Sequence, residues 1–316
     1  MLHEFELIQR LTQSLPAHPA VQVGPGDDCA VLDLGAPDSL VLFKTDAVVG
    51  GIHFLPDAPP EKVGHKALAR CLSDIAAMGG TPVAALITLG LPAKYDLEFI
   101  EGIYRGMKSL AERCHVAIAG GETTTNPERI FISISLIGTV LRGKAVLRSG
   151  AKPGDAIFVT GELGGSISGK HLDFEPRLLE GRWLAEHFHI HSMMDISDGL
   201  AGDLPHILKA SQVGAELLTK AIPISRAARL ASKQESSAKP PLLAALTDGE
   251  DFELLFTVAS KDAVPLLDGW KKQFPVTRLS CIGKITEAEG ITLRDKDGIR
   301  PLTVHGYTHF HKPGAD

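Results

Sequence analysis

An α+β fold in two domains is what the sequence predicts, on three observations. The chain has 316 residues, which suits two ordinary domains better than one. Apolar segments of period two and of period 3.6 are mixed along it without strict strand–helix–strand alternation. The turn signal Pro153-Gly154, in RSGAKPGDAIFVTGELGGS (148–166), opens a second series of elements. The boundary is therefore expected near residue 147, giving domains 1–147 and 148–316.

At the N-terminus, MLHEFELIQRLTQSL has Phe5, Ile8 and Leu11 at helical spacing, acids among them and no basic leader. It reads as an amphipathic helix rather than a signal peptide. SLVLFKTDAVVGGIHF (39–54) reads as a strand that breaks at Gly50-Gly51. PPEKVGHKALARCLSDIAAMGG (59–80) opens on proline and closes on a glycine pair, with Val63, Ala67, Leu68, Leu72, Ile75 and Ala76 as a helical stripe. TPVAALITLGLP follows as a buried strand, LEFIEGIYRGMKSLAERCH as a second amphipathic helix, and VAIAGGETT as a short strand running into a glycine loop. In RIFISISLIGTVL, Ile132, Ile134 and Leu136 alternate with Ser133 and Ser135, a strand with one polar face. The second half continues with an apolar strand after Pro153-Gly154, a helix near 177–188, a strand ending in SMMD and a helix after ISDGL. The strands ELLTKAIPIS and DFELLFTV flank a polar loop, SKQESSAKPP (232–241).

Composition excludes several classes of function. The net charge is −6 and no basic stripe is interleaved with aromatics, which argues against nucleic acid or anionic membrane as a partner. The longest apolar stretch, residues 130–141, falls short of the ~20 residues that span a bilayer. Cys29, Cys71, Cys114 and Cys281 are scattered and form no CxxC, so they read as reduced thiols of a cytoplasmic protein.

The acids carry the chemistry. VGPGDDCAVLD sets Asp27 and Asp28 side by side behind a flexible Gly-Pro-Gly. Alone, that is a surface turn or a cation site. Asp46 ends VLFKTD, Asp74 lies in the helix closed by Gly79-Gly80, Glu122 follows the glycine pair of AGGETT, and Asp195 and Asp198 flank the start of DISDGL. Strand ends, glycine breaks and helix termini are where a fold gathers functional groups on one rim. Each acid also has an ordinary reading. Asp74 can pair with Arg70 at i,i+4, Asp46 with Lys44 on the same strand face, and Asp198 or Ser197 can cap the next helix. Jointly, carboxylates without matching His or Cys fit Mg²⁺. Because Mg²⁺ takes only one or two carboxylates and completes its shell with water and phosphates, the set implies several ions and a phosphate-rich substrate. No GxxxxGK[ST] loop is present to hold a nucleotide.

These residues also carry a resemblance. GDDCAV, KTDAVVGGIHF, LSDIAAMGG, GGETT, RSGAKPGD, DISDGL, DGEDFELLF and CIGKI occur in the order seen in thiamine-monophosphate kinases, from Phe5 to GYTHF near the end. The wider superfamily includes aminoimidazole ribonucleotide synthetase, selenophosphate synthetase and a hydrogenase maturation protein; GDD, GIHF and GEDFELLF point to the thiamine branch. The resemblance implies a two-domain aminoimidazole ribonucleotide synthetase-like fold and a homodimer whose N-terminal sheets pair into a barrel. It implies that ATP and thiamine monophosphate give thiamine diphosphate and ADP. It also implies Asp28, Thr45, Asp46, Asp74, Glu122, Asp195 and Asp198 as Mg²⁺ ligands, and Gly121, Glu122, Arg148 and Ser197 at ATP. His53, Glu250 and Tyr307 would contact thiamine monophosphate, with Arg148, Asp46 and Asp198 nearest the transfer. Four positions depart from the family pattern: Glu122 replaces Asp, Cys71 Asn, Phe252 Tyr, and Lys44 a residue often hydroxylated. They keep open a binding-only relative with altered turnover, or another ATP-dependent synthetase of the superfamily.

Overall fold

The computed structural model describes residues 4–234, 238–304 and 306–307. Its first sheet has six strands, β1 (Val21–Val23), β2 (Ala30–Leu32), β3 (Ser39–Val49), β4 (Thr81–Leu91), β5 (Ala117–Thr125) and β6 (Phe131–Leu141). They lie in the order β1-β2-β3-β6-β4-β5, antiparallel except for the parallel pair β4–β5. Leu40, Leu42, Ile87, Ile132, Ile134 and Leu136 turn one face into the core. Helices α2 (Pro60–Ala77) and α3 (Leu97–Arg113) supply Val63, Leu68, Leu72, Ile75, Ile103 and Met107 to that same core. Pro60 starts α2, where its missing N–H costs nothing, and Gly79 at φ 68° ends it.

The expected first helix is present as α1 (Glu4–Thr12), but Ile8 and Leu11 stay 46% and 64% exposed instead of packing on a core. The glycine loop expected after VAIA is also different. β5 runs straight through Gly120 and Gly121, because a Cβ on Gly121 would lie 1.8 Å from the Ile87 carbonyl oxygen of β4. Gly121 serves close strand approach, and Gly120 follows a register irregularity of the β4–β5 pair, not a turn.

Helices α2 and α3 touch backbone to backbone. A Cβ on Gly106 would fall 1.8 Å from the Glu61 carbonyl oxygen. Alanine is the better helix former by about 1 kcal/mol, so a tolerant site would gain stability from Gly106→Ala. Here the contact reverses the sign. We expect a loss of about 2 kcal/mol or more, read as a lower denaturation midpoint at unchanged m-value.

The second sheet has seven strands: β7 (Ala156–Thr160), β8 (Ile190–Asp195), β9 (Gly214–Leu218), β10 (Leu254–Val258), β11 (Leu279–Thr286), β12 (Gly290–Asp295) and β13 (Gly298–Pro301). Their order is β13-β12-β9-β11-β7-β10-β8, antiparallel but for β12–β9. Every residue of β7 and β10 is buried, which is why these strands read as continuous apolar runs. One face packs Leu200, Leu204 and Ile207 of α5 (Leu200–Ser211). The other packs Leu184 of α4 (Leu178–His187), Trp270 of α8 (Ala263–Gln273) and the end of α2, Ala76 and Ala77. The short helices α6 (Arg226–Gln234) and α7 (Pro241–Thr247) complete the chain order.

Helix α2 thus spans both cores, and its last turns are pinned between the two sheets. The segment from 142 to 155 joins the sheets beside it. No helix among the described residues is long and apolar enough to cross a membrane.

Candidate active site between the two sheets

Four pieces of chain converge on the end of α2. The loop before β2 brings Asp28, β3 brings Lys44 and Asp46, β8 ends in Asp195, and the joining segment brings Arg148. Asp28, Asp74 and Asp195 are all buried, and one oxygen from each lies within 4.8 Å of the others. These are three of the residues the sequence singled out, brought together by packing from positions far apart in the chain.

Two cations pair with it, and a third pairs with Asp46 alongside. Arg148 Nη2 donates to Asp28 Oδ1 at 2.6 Å, and Lys44 Nζ to Asp74 Oδ1 at 3.0 Å. Arg70 Nε lies 3.1 Å from Asp46 Oδ2. The pairings the spacing suggested, Asp74 with Arg70 and Asp46 with Lys44, are therefore exchanged. Lys44 and Asp46 point from β3 toward α2, and a facing helix offers closer partners than neighbours in sequence. Asp46 also sits within β3, not at its end, since pairing with β6 continues to Val49. Asp195 accepts from the Ser73 hydroxyl at 2.5 Å.

Burial pushes the carboxylic acid of Asp74 well above its ordinary pKa, against the pull of Lys44. Burial and the neighbouring Asp28 raise Asp195 to about 6. Asp28 Oδ2 is buried with no hydrogen-bond partner among the described residues. An orphaned buried carboxylate oxygen costs free energy unless a cation meets it. Asp27 takes another role: its Oδ1 accepts from the Arg148 backbone N–H at 2.6 Å, tying the GPGDD loop to the joining segment.

A cavity lies beside the cluster. It is lined by Ile52, His53, Arg70, Ile167, Ser197, Asp198, Asp248, Glu250, Phe252 and Tyr307. All three residues expected at the acceptor, His53, Glu250 and Tyr307, open onto it, together with Ser197 and Asp198. Arg70 belongs to both places, pairing with Asp46 and lining the cavity. The 195–199 loop is stitched down by Glu250 N donating to Ser197 O at 2.7 Å, Tyr307 N to Asp198 O at 2.9 Å and Asp198 N to Asp203 Oδ2 at 2.9 Å. The N-cap of α5 is Gly199, so neither Ser197 nor Asp198 holds the capping position the sequence offered them.

Two residues behind the cavity lay outside the sequence reading. Lys66 Nζ, fully buried, donates to Glu250 Oε2 at 2.7 Å and to His53 O at 2.7 Å, and lies 2.8 Å from His171 Nδ1. His171 Nδ1 is 2.9 Å from the same Glu250 oxygen. Burial disfavours the Glu250 anion, but the His171 and Lys66 contacts outweigh it and hold its pKa at about 2. His53 moves the other way, to about 4, because burial and the nearby Arg70 and Lys66 disfavour its cation. Its Nδ1 accepts from Val49 N at 3.0 Å, so the neutral ring carries its proton on Nε2.

Thr45 and Glu122 are not brought to this cluster. Thr45 Oγ1 lies 3.4 Å from Ser133 Oγ on the sheet's open face. Glu122 pairs in register with Thr88, and Thr88 with Ser133, so it shares that face two strands further out. Gly121 stands beside it on the edge strand.

The family model for the AIR synthase related protein N-terminal domain matches residues 26–140, and that for the C-terminal domain residues 152–296. Thiamine-monophosphate kinase of Rhodopirellula baltica is 41% identical over 87% of this chain and 87% of its own length. The chain belongs to the thiamine-monophosphate kinase family. The Bacillus subtilis member is 34% identical over 98% of this chain and 100% of its own. The structure of AaThiL complexed with AMPPCP and TMP superposes with a TM-score of 0.81 at 30% identity, covering 98% of this chain and 97% of that one.

Proposed function

We propose that this chain is a thiamine-monophosphate kinase, transferring the γ-phosphoryl group of ATP to the phosphate of thiamine monophosphate to give thiamine diphosphate and ADP. The observation that carries the reading is a buried three-carboxylate cluster, with an orphaned Asp28 Oδ2, beside a cavity lined by His53, Asp198, Glu250 and Tyr307. The related AaThiL is complexed with AMPPCP and TMP, one nucleotide analogue and one acceptor.

The donor set fits Mg²⁺: hard carboxylate oxygens, close together, with one lacking a donor among the described residues. Asp28, Asp74 and Asp195 would hold it, with Asp46 and Asp198 at the margins. Thr45 and Glu122 join the proposed ligands, and Gly121 the nucleotide site, on resemblance alone. When bound, Mg²⁺ supplies positive charge between the phosphates of donor and acceptor. Arg148 presents a guanidinium suited to a phosphate, and Ser197 a hydroxyl at the cavity wall. The acceptor is a phosphate monoester carrying roughly −1.5 to −2 charge, already a nucleophile, so no general base is required. Glu250, held anionic at the cavity wall, suits the cationic thiazolium ring of thiamine.

A homodimer is part of the proposal. Phe43, Val83, Leu86, Ile118, Ile137 and Leu141 of the first sheet are each at least 37% exposed. Such a face favours a second copy across it, as a barrel of paired sheets would provide. With four unpaired cysteines, the protein is assigned to the cytoplasm.

The deciding experiment is a product assay with purified protein, Mg·ATP and thiamine monophosphate, with free thiamine as a parallel acceptor and EDTA as control. Metal-dependent thiamine diphosphate from the monophosphate alone is the expected result. A folded protein that binds Mg·ATP and forms no product would leave the binding-only reading, for which Lys44 inside the cluster is the one favouring observation.

A further inference from the structure

We propose that Lys44 is a resident cation of the acid cluster, its ammonium standing where a divalent ion would otherwise bind, so that this chain loads one divalent ion fewer than the cluster would hold without it. This rests on the cluster being the Mg²⁺ site proposed above.

Three observations carry the proposal. Lys44 Nζ sits 3.0 Å from Asp74 Oδ1, and Asp74 is one of the three acids whose oxygens lie within 4.8 Å of one another. The pair is largely shielded, with side chains 23% and 9% exposed, so water screens it little. The remaining charges nearly balance: Arg70 pairs with Asp46 and Arg148 with Asp28, leaving Asp195 with a hydroxyl alone. Of these four carboxylates, Asp195 alone has no paired cation among the three.

A metal ion and an ammonium compete for the same oxygen. Mg²⁺ binds carboxylate oxygen at about 2.0–2.1 Å, and a second cation 3.0 Å from that atom repels it. With Lys44 in place, Asp74 offers a metal its other oxygen only. Asp28 Oδ2 and the Asp195 carboxylate remain open to an ion. Removing the ammonium frees Asp74 Oδ1 and leaves a second carboxylate of the set without a paired cation.

The test counts metal directly. Mn²⁺ serves as the probe, its free fraction read by electron paramagnetic resonance, with the full chain and a non-hydrolysable ATP analogue. Lys44→Thr and Lys44→Met are compared with the unsubstituted chain and with Asp195→Asn. Both Lys44 variants are expected to bind one more Mn²⁺ per chain. The methionine variant adds no oxygen ligand, and its soft thioether does not suit a hard divalent ion, so a gain there isolates the freed carboxylate. Either variant decides the matter if the other does not fold. Equal stoichiometry in all three would overturn the proposal. So would weaker nucleotide binding at unchanged Mn²⁺ count, which would make Lys44 a phosphate contact. If Asp195→Asn binds as many ions as the unsubstituted chain, the cluster is not the metal site, and the underlying reading falls on its own evidence.

Discussion

Asp195→Asn is expected to abolish thiamine diphosphate formation and, at the same time, to stabilise the protein in EDTA. Both effects come from one fact: Asp195 is buried among like charges with a single hydroxyl to meet it. Burial and Asp28 lift its pKa from 3.8 to about 6. The sign follows from linkage. The folded state prefers the protonated acid, so stability falls as pH rises from 3.8, where the unfolded chain ionises, to about 6, where the folded one does. Above that window the cost is full, on the order of 3 kcal/mol. Asparagine can still accept from Ser73 and carries no charge, so the cost disappears. Melting in EDTA at pH 7.5 should therefore favour the variant by several degrees, and the gap should close toward pH 4. Mg²⁺ should stabilise the original chain and leave the variant nearly unmoved. Turnover should drop at least about 10²–10³-fold, since charge stabilisation is the main service such a site performs. A variant that is less stable in EDTA, or that keeps its turnover, would show that Asp195 is structural.

That trade of stability for function explains what the sequence could reveal. That the acids of GDDCAV, LSD and DISDGL gather was legible because several carboxylates fall at chain breaks without matching His or Cys, although each alone reads as a turn, ion pair or cap. The two-domain α+β architecture was legible for a similar reason: period-two and period-3.6 segments alternate with clear turn chemistry. Cross-element partners were not legible. Lys44 and Asp46, two apart on β3, read as a local pair, and only the packing of α2 against that strand exchanges their partners. The open-face placement of Thr45 and Glu122 follows from strand register, which motif spacing does not encode. Strands β1, β2, β11, β12 and β13 were missed, and β1, β2 and β13, of three or four residues, are too short to carry an apolar pattern. Asp203, which holds the Asp198 backbone, looks like any helical acid in LAGDLPHILKAS. Lys66 did leave a trace. It lies three residues from Val63 and four from Arg70, on the buried side of α2, where a lysine needs a reason.

Lys66 is also the residue whose replacement should most clearly separate binding from chemistry. Its ammonium is almost wholly enclosed and meets His53 O, His171 Nδ1 and Glu250 Oε2 within 2.8 Å. Glu250 itself has φ of 53°, an unfavourable backbone conformation for a glutamate, which the surrounding contacts must hold. Lys66→Met keeps the length of the side chain and removes the charge. Glu250 then retains only His171, and the His53 carbonyl loses its donor. Breaking a buried pair from one side costs about 3–5 kcal/mol, so melting should fall by several degrees. If Glu250 orients the acceptor, KM for thiamine monophosphate should rise at least tenfold, while KM for ATP and kcat at saturation change little. Glu250→Gln should reproduce the KM effect, because the amide cannot answer a cationic ring. It should also be destabilised, since it leaves the Lys66 ammonium enclosed without its anion. A purely structural role makes a different prediction: both variants would melt earlier, with KM for thiamine monophosphate unmoved once the assay is run well below the melting temperature. That outcome would remove Glu250 from the acceptor site and leave His53, Asp198 and Tyr307 to hold the substrate.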